Sequence, residues 1–284
     1  MTYTIGTLWG RKAGYGTSHR NEAQRDKTEE LKAAHLSRLQ NPLTPVKALR
    51  AVSGIAGKRR YSVSVLMDDG SVMDQDHFAA PEAYLEDICA RFASGTLITT
   101  AQNKVAVEDL RPGDKIKTRD NGMKTLRWIG SCSFGGPTTA SDVTGYPIRI
   151  KADALGDMRP DQDLLVSPRF RVLSNHASCV ALFGSPETLA PAIDLMDDET
   201  IMQVRPPEDL LFYNLMLDNH QIIQANGLDT ESYHPGNYGV AVMSLEVQHH
   251  MRQILPHLDG DLSRFGRTVR PILKGFEAEV LRVG

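Results

Sequence analysis

Phe92-Ala93-Ser94-Gly95-Thr96-Leu97-Ile98-Thr99-Thr100 sets a Ser-Gly turn pair ahead of β-branched and apolar residues, and Gly95–Thr100 reads as a strand. Working outward, Val105-Ala106-Val107-Glu108-Asp109-Leu110 runs into Arg111-Pro112-Gly113-Asp114. Pro and Gly there supply the fixed and the positive φ that a tight turn requires. Lys115–Thr118 follows, and Asp120-Asn121-Gly122 marks the next reversal. Further short runs are 125–129, 147–150, 164–166, 170–173, 200–204, 212–217 and 221–225. Many short strands separated by Gly, Pro, Asn and Asp, with no fixed repeat, predict a mainly β domain.

The flanks differ in character. Tyr61-Ser62-Val63-Ser64-Val65-Leu66 alternates, and Asp69-Gly70 after it predicts a β-hairpin over 61–72. Pro81 is expected to open a short helix through Ile88. Residues 1–18 read as a leader, and 19–40 as a charged helix with a narrow apolar stripe, stopped by Asn41-Pro42. The basic stretch 47–60 reads as a linker. At the far end, Leu245, Val247, Met251, Ile254 and Leu255 recur at helical spacing up to Pro256. The expected organisation is an N-terminal arm (1–60), a hairpin and short helix (61–91), a β core (92–236) and a helical tail (237–284).

Composition narrows the functional classes. The 284 residues, 41% hydrophobic and 24% charged, are those of an ordinary soluble globular protein. A net charge of −3 provides no basic field to attract nucleic acid, and no nucleic-acid partner is expected. The three cysteines, Cys89, Cys132 and Cys179, are too few and scattered for a disulfide framework, and read as buried free thiols. His249 and His250 lie about 100° apart around a helix axis, not stacked as metal ligands are. No other His, Asp or Glu set shows metal spacing, so no cofactor is expected. No run approaches the roughly 18 apolar residues of a membrane span. Met1–Gly6 shows no signal-peptide pattern, which makes a cytoplasmic location the default expectation. Secretion through a signal elsewhere in the chain stays open.

Three blocks carry a resemblance. Gly95–Thr100 with Val107-Glu108-Asp109-Leu110-Arg111-Pro112-Gly113-Asp114 resembles the opening of bacterial Hedgehog/intein (Hint) domains, a "GT-x-I-x-T" strand followed by "V-E-x-L-x-x-G-D". Ser167-Pro168-Arg169-Phe170-Arg171-Val172 looks like the "SP-x-H-R-V" block. His220-Gln221-Ile222-Ile223-Gln224-Ala225-Asn226-Gly227, running on to Glu231-Ser232, looks like the final "H-x-I-x-x-A-N-G…ES" block. The resemblance covers about residues 92–236, and implies a Hint β-fold carrying an N-terminal helix and hairpin extension and a C-terminal helix.

The resemblance also implies a self-cleaving chemistry and where its parts would stand. A Cys or Ser just before the Phe of the first block attacks the preceding carbonyl, and the His of the second block moves protons. Here those positions hold Arg91 and Phe170. A guanidinium stays protonated and offers no lone pair, and a phenyl ring carries no exchangeable proton. His220 alone matches a family active-site position, either as a retained base or as a structural histidine. Cys89, two residues upstream of Arg91, is the candidate surrogate nucleophile; Ser94 and Thr96 are weaker ones. Asn226-Gly227 reads as a turn and not as a splice junction, because the chain continues well beyond it. His234 reads as a loop residue.

Three functions follow as expectations. The first is a catalytically inactive Hint scaffold or binding module, a pseudoenzyme whose partner is left open, another protein being the candidate and a membrane not expected. The second is an autoproteolytic protein with a non-standard nucleophile such as Cys89. The third is an enzyme or regulator acting on another molecule, with the Hint core as frame and residues 1–60 as a recruiting arm.

Overall fold

Alternation in Arg59–Leu66 builds β1, burying Arg59, Tyr61, Val63 and Val65 on one face while Ser62 and Ser64 are only partly covered. The chain reverses through Met67–Ser71. The Met67 N–H donates to the Ser71 carbonyl and Gly70 takes φ +83°, a conformation that favours glycine. The returning strand, β2 (Val72–Ala79), pairs antiparallel with all of β1. The expected hairpin is thus present and longer than 61–72. Arg59 and Arg60, read as linker, belong to its first strand.

The computed structural model describes residues 57–136, 145–175, 177–237, 245–258, 260–274 and 277. The chain divides into two units, Met1–Val52 and Ser53–Gly284, and the described residues all lie in the second. The leader and helix expected over residues 1–40, with the linker up to residue 56, lie outside them.

After the hairpin come α1 (Ala83–Cys89), β3 (Phe92–Ala93), β4 (Leu97–Thr99), β5 (Lys104–Ala106), β6 (Lys115–Lys117) and β7 (Met123–Phe134). Next are β8 (Ile148–Ile150), β9 (Leu164–Val166), β10 (Arg171–Asn175), α2 (Ala177–Phe183), β11 (Glu187–Pro191) and β12 (Ile201–Gln203). The chain continues through β13 (Leu210–Leu217), β14 (Ile222–Ala225), β15 (Leu228–Glu231) and α3 (Leu245–Ile254). Among the described residues the strands form a nine-stranded sheet, ordered β12-β8-β9-β3-β13-β7-β1-β2 with β6 also on β7, and a six-stranded sheet, β11-β10-β15-β14-β4-β5. The fold is mainly β, as expected.

Several elements differ from the sequence reading. Helix α1 starts at Ala83 because Glu82 is extended (φ −127°, ψ 133°), which leaves Pro81 ahead of the cap. Val107–Asp109 is a 3₁₀ turn and not a continuation of a strand. The run at 125–129 is the middle of a twelve-residue strand, β7, whose small and polar residues (Gly130, Ser131, Ser133) hid its length. Strands β11 and β15 and helix α2 were not expected.

The large sheet is covered on both faces, and alternation along β13 shows how. Phe212 and Met216 join a core with Tyr61, Val63, Val65, Leu85, Ile88, Trp128, Tyr233, Met251, Ile254 and Leu255. Leu215 and Leu217 turn to a second core holding Phe92, Ile98, Ile116, Ile150, Val166, Phe170 and Ile223. The hairpin, α1 and α3 share the first core. Trp128 pins α3 there by donating its indole N–H to the Ile254 carbonyl at 2.7 Å.

Candidate active site

The residues picked out in sequence converge where α1 passes into β3. The buried Asn214 amide of β13 donates to the Ile88 carbonyl at 2.6 Å and so sets the end of α1 against the sheet. The Arg91 N–H then donates to the Tyr213 carbonyl, and its own carbonyl accepts from the Ser167 N–H. Phe92 continues the clamp by pairing with Tyr213 on one side and Val166 on the other. The backbone at Arg91 and Phe92 is therefore held by β13 and by the turn after β9.

Arg91 is only 4% exposed. Its Nη1 donates to the Arg169 carbonyl at 2.5 Å, and Nη2 lies 3.1 Å from Asp87 Oδ1. Glu231 Oε1 is 3.9 Å from Nη1, and the guanidinium carbon sits 5.8 Å from the Tyr233 ring centroid. Arg91 is thus a buried cation that ties together α1, the turn before β10 and the end of β15.

Glu231 is the counter-ion at the centre. Val172 of β10 pairs with Thr230 of β15, which places their neighbours Arg171 and Glu231 side by side. Arg171 Nη1 meets Glu231 Oε2 at 2.8 Å, and His220 Nε2 reaches the same oxygen at 3.2 Å. Burial pushes the Glu231 carboxyl up, but the His220 hydrogen bond and the charges of Arg171 and Arg91 outweigh it and hold the group below its usual value.

His220 is fully buried in the loop between β13 and β14. The Val269 N–H donates to its Nδ1 at 3.1 Å. A ring nitrogen that accepts carries no hydrogen, so the proton of the neutral ring sits on Nε2 and is given to Glu231. Both ring nitrogens are occupied. His234 packs its ring edgewise on His220 at 5.2 Å and donates from Nε2 to the Gly266 carbonyl. Burial, and then the neighbouring His220, hold its pKa below the ordinary value.

Phe170 is completely buried and meets Phe92 edge to face at 5.1 Å in the core between the sheets. Cys89 is the last residue of α1, so no continuous strand aligns it with Arg91. It lies in the other core with Tyr61 and Cys132, where burial pushes its thiol well up. Ser94 is exposed, whereas the buried Thr96 hydroxyl is spent on the Ala93 carbonyl at 2.7 Å. Asn226 (φ +45°) and Gly227 (φ +79°) form the two-residue turn of the β14–β15 hairpin, as read. A shallow cleft lined by Ala83, Glu86, Asp87, Phe134, Ser167, Pro168 and Arg169 adjoins the centre. Ser167 Oγ is buried there without a partner among the described residues.

The structure gathers Arg91 and His220 around Glu231 and sets Phe170 in the core against Phe92, and sequence reasoning had not marked Glu231, Arg171, Asp87, Tyr233 or Val269. Arg171 and Glu231 stood in the quoted blocks as motif letters. Nothing marked them as a buried ion pair, because charged residues in sequence read as surface. Among the described residues no group of three or more His, Cys, Asp and Glu is placed to hold a metal ion. No described helix is long and apolar enough to cross a membrane.

All of these residues except Val269 and Asp87 fall within 89–237, the span matched by the family model of the Hint domain, which is about half of the chain. The chain belongs to the Hint-domain family, and with it to the self-processing Hedgehog/intein superfamily. Among solved structures it is similar to a bacterial intein-like domain from Clostridium thermocellum, at 13% identity and a TM-score of 0.36, covering 50% of this chain and 99% of that one. No curated protein matches it.

Proposed function

We propose that this Hint domain is catalytically silent and serves as a scaffold or binding module for another protein. The observation that carries the reading is the buried cluster of Arg91, Asp87, Glu231, Arg171 and His220. Amide-to-thioester exchange starts with a lone pair on the residue at position 91, and a guanidinium has none to give. It also needs an acid–base group at position 170, where a phenyl ring packs on Phe92. His220 is left with no free nitrogen to take a proton while Val269 and Glu231 hold it. Losing nucleophile and proton carrier together removes several powers of ten in rate, by analogy with catalytic triads. Within this reading residues 92–236 are the family core, residues 61–91 and 237–284 are additions to it, and residues 1–60 are an arm.

A surrogate nucleophile at Cys89 finds little support. The reactive form of a cysteine is the thiolate, and burial in an apolar core works against it. The test is prolonged incubation of full-length protein with dithiothreitol or hydroxylamine, followed by intact mass, for wild type and Cys89→Ala. One unchanged mass in both is expected. A thiol-dependent fragment beginning at Cys89, from breaking the bond after Ile88, or at Arg91 would overturn the reading.

A further inference from the structure

Five histidines from the hairpin, the β core and the C-terminal segment meet along residues 245–258 and 260–272. His77 of β2 and His250 of α3 share a hydrogen bond between Nε2 and Nδ1 at 2.7 Å, their rings 4.8 Å apart. Just past α3, His257 lies with Nε2 3.2 Å from Met216 Sδ, and its Nδ1 is buried with no partner among the described residues. His234 donates to the Gly266 carbonyl and meets Phe265 edgewise, and His220 accepts from Val269. The same segment closes the family's active-site histidine away from outside groups, and Ile272 bridges onto Leu189 beyond it.

We propose that residues 245–258 and 260–272 form a pH-sensitive latch over the His220–Glu231 centre, closed while these histidines are neutral and released when they take up protons. The chemistry differs from contact to contact. A proton on His220 Nδ1 removes the lone pair that accepts the Val269 N–H, so two donors face each other. The imidazolium keeps Glu231 at Nε2, where Arg171 and Arg91 share the carboxylate, so the cation suits the open state and not the closed one. The His77–His250 pair tolerates one proton, on the far nitrogen of the donor ring. A second puts N–H against N–H, with His249 and Lys58 adding positive charge nearby. A proton on His257 buries a cation facing Arg127, offset in part by Asp68. On His234 it displaces the Gly236 N–H from Nδ1 and faces His220 and Arg171, with Glu231 opposing.

Burial first, and then neighbouring charge, lowers the pKa of His77, His234 and His257, the last to about 4. A base whose pKa is depressed from 6.5 in the closed state takes up protons on release. Closure is therefore fully favoured above 6.5 and weakens as the pH falls from there towards 4. The inference holds whether or not the centre is silent.

Hydrogen exchange on the full-length protein tests it. Between about pH 7.5 and about pH 5, protection factors across 245–258 and 260–272 are expected to fall at least about tenfold relative to β7 and β13. In a Trp9→Phe background, the emission of Trp128, which bonds Ile254, should shift to the red over the same interval. A triple variant, His77→Gln, His220→Gln and His257→Gln, should largely lose the response. Where that variant fails to fold, nitrogen-resolved titration of wild type serves instead, and His220 Nδ1 must gain its proton at the midpoint of opening. Unchanged protection at the lower pH, loss in step with β7, opening that persists in the triple variant, or His220 titrating at another midpoint each overturns the latch.

Discussion

A guanidinium withdrawn from water must find oxygens, and Arg91 finds them on Asp87, Arg169 and Glu231. Removing one member of such a cluster leaves the others buried with unbalanced charge, a change that costs about 3–5 kcal/mol in comparable cases. Arg91→Cys is accordingly expected to lose stability of that order in urea denaturation and to remain uncut, although it restores the family's nucleophile type. A stable, self-cleaving Arg91→Cys protein would show that one side chain had been the whole block. That position 91 holds a guanidinium is read directly from the sequence. The ion cluster around it could not be, since it joins residues as far apart as 87 and 231 and exists only once β10, β13 and β15 are assembled.

Among the elements, the β14–β15 hairpin shows the same division between what is local and what is not. Asn226-Gly227 has a sequence signature because two successive positive φ angles favour this pair in tight turns. Its tertiary use has none. Asn226 Oδ1 accepts from the Leu97 N–H at 2.7 Å and from Gln162, and its Nδ2 donates to the Asp163 carbonyl. The turn asparagine thus stitches the hairpin to β4 and to the loop before β9. Asn226→Ala keeps the turn's length but strands a part-buried N–H and carbonyl, at up to about 1–3 kcal/mol for each group left unsatisfied. The expected result is a lowered denaturation midpoint with no new cleavage product. An unchanged midpoint would mean that water or a shifted backbone satisfies both groups. A strand with clean alternation, β1, and one written as a short apolar run, β9, were legible beforehand. Strand β7 was legible only in its apolar middle, and β15 (Leu-Asp-Thr-Glu) hardly at all, because it buries Thr230 and Glu231.

For the whole of the second unit, the question is whether the family span is enough to fold. The family match begins at residue 89, yet β1 lies inside the large sheet, between β7 and β2, and is hydrogen-bonded to both. Tyr61, Val63 and Val65 are buried against Trp128 and Met216, and the buried Arg59 is ion-paired with Glu86 of α1. Burial of three such side chains stabilises by roughly 5–9 kcal/mol at 1.5–3 each. A domain's whole net stability is about 5–15 kcal/mol. Losing the hairpin would also turn β7 into an exposed edge and uncover an apolar face, both of which favour aggregation. A chain starting at Pro81 is thus expected to be insoluble or to melt without cooperativity, even though it contains every family block. Adding residues 57–80 back as a separate peptide should recover solubility if the loss is one of pairing. Cooperative unfolding of the Pro81 chain alone, with protected β7 amides, would show that the extension is an ornament and that the Hint core closes without it.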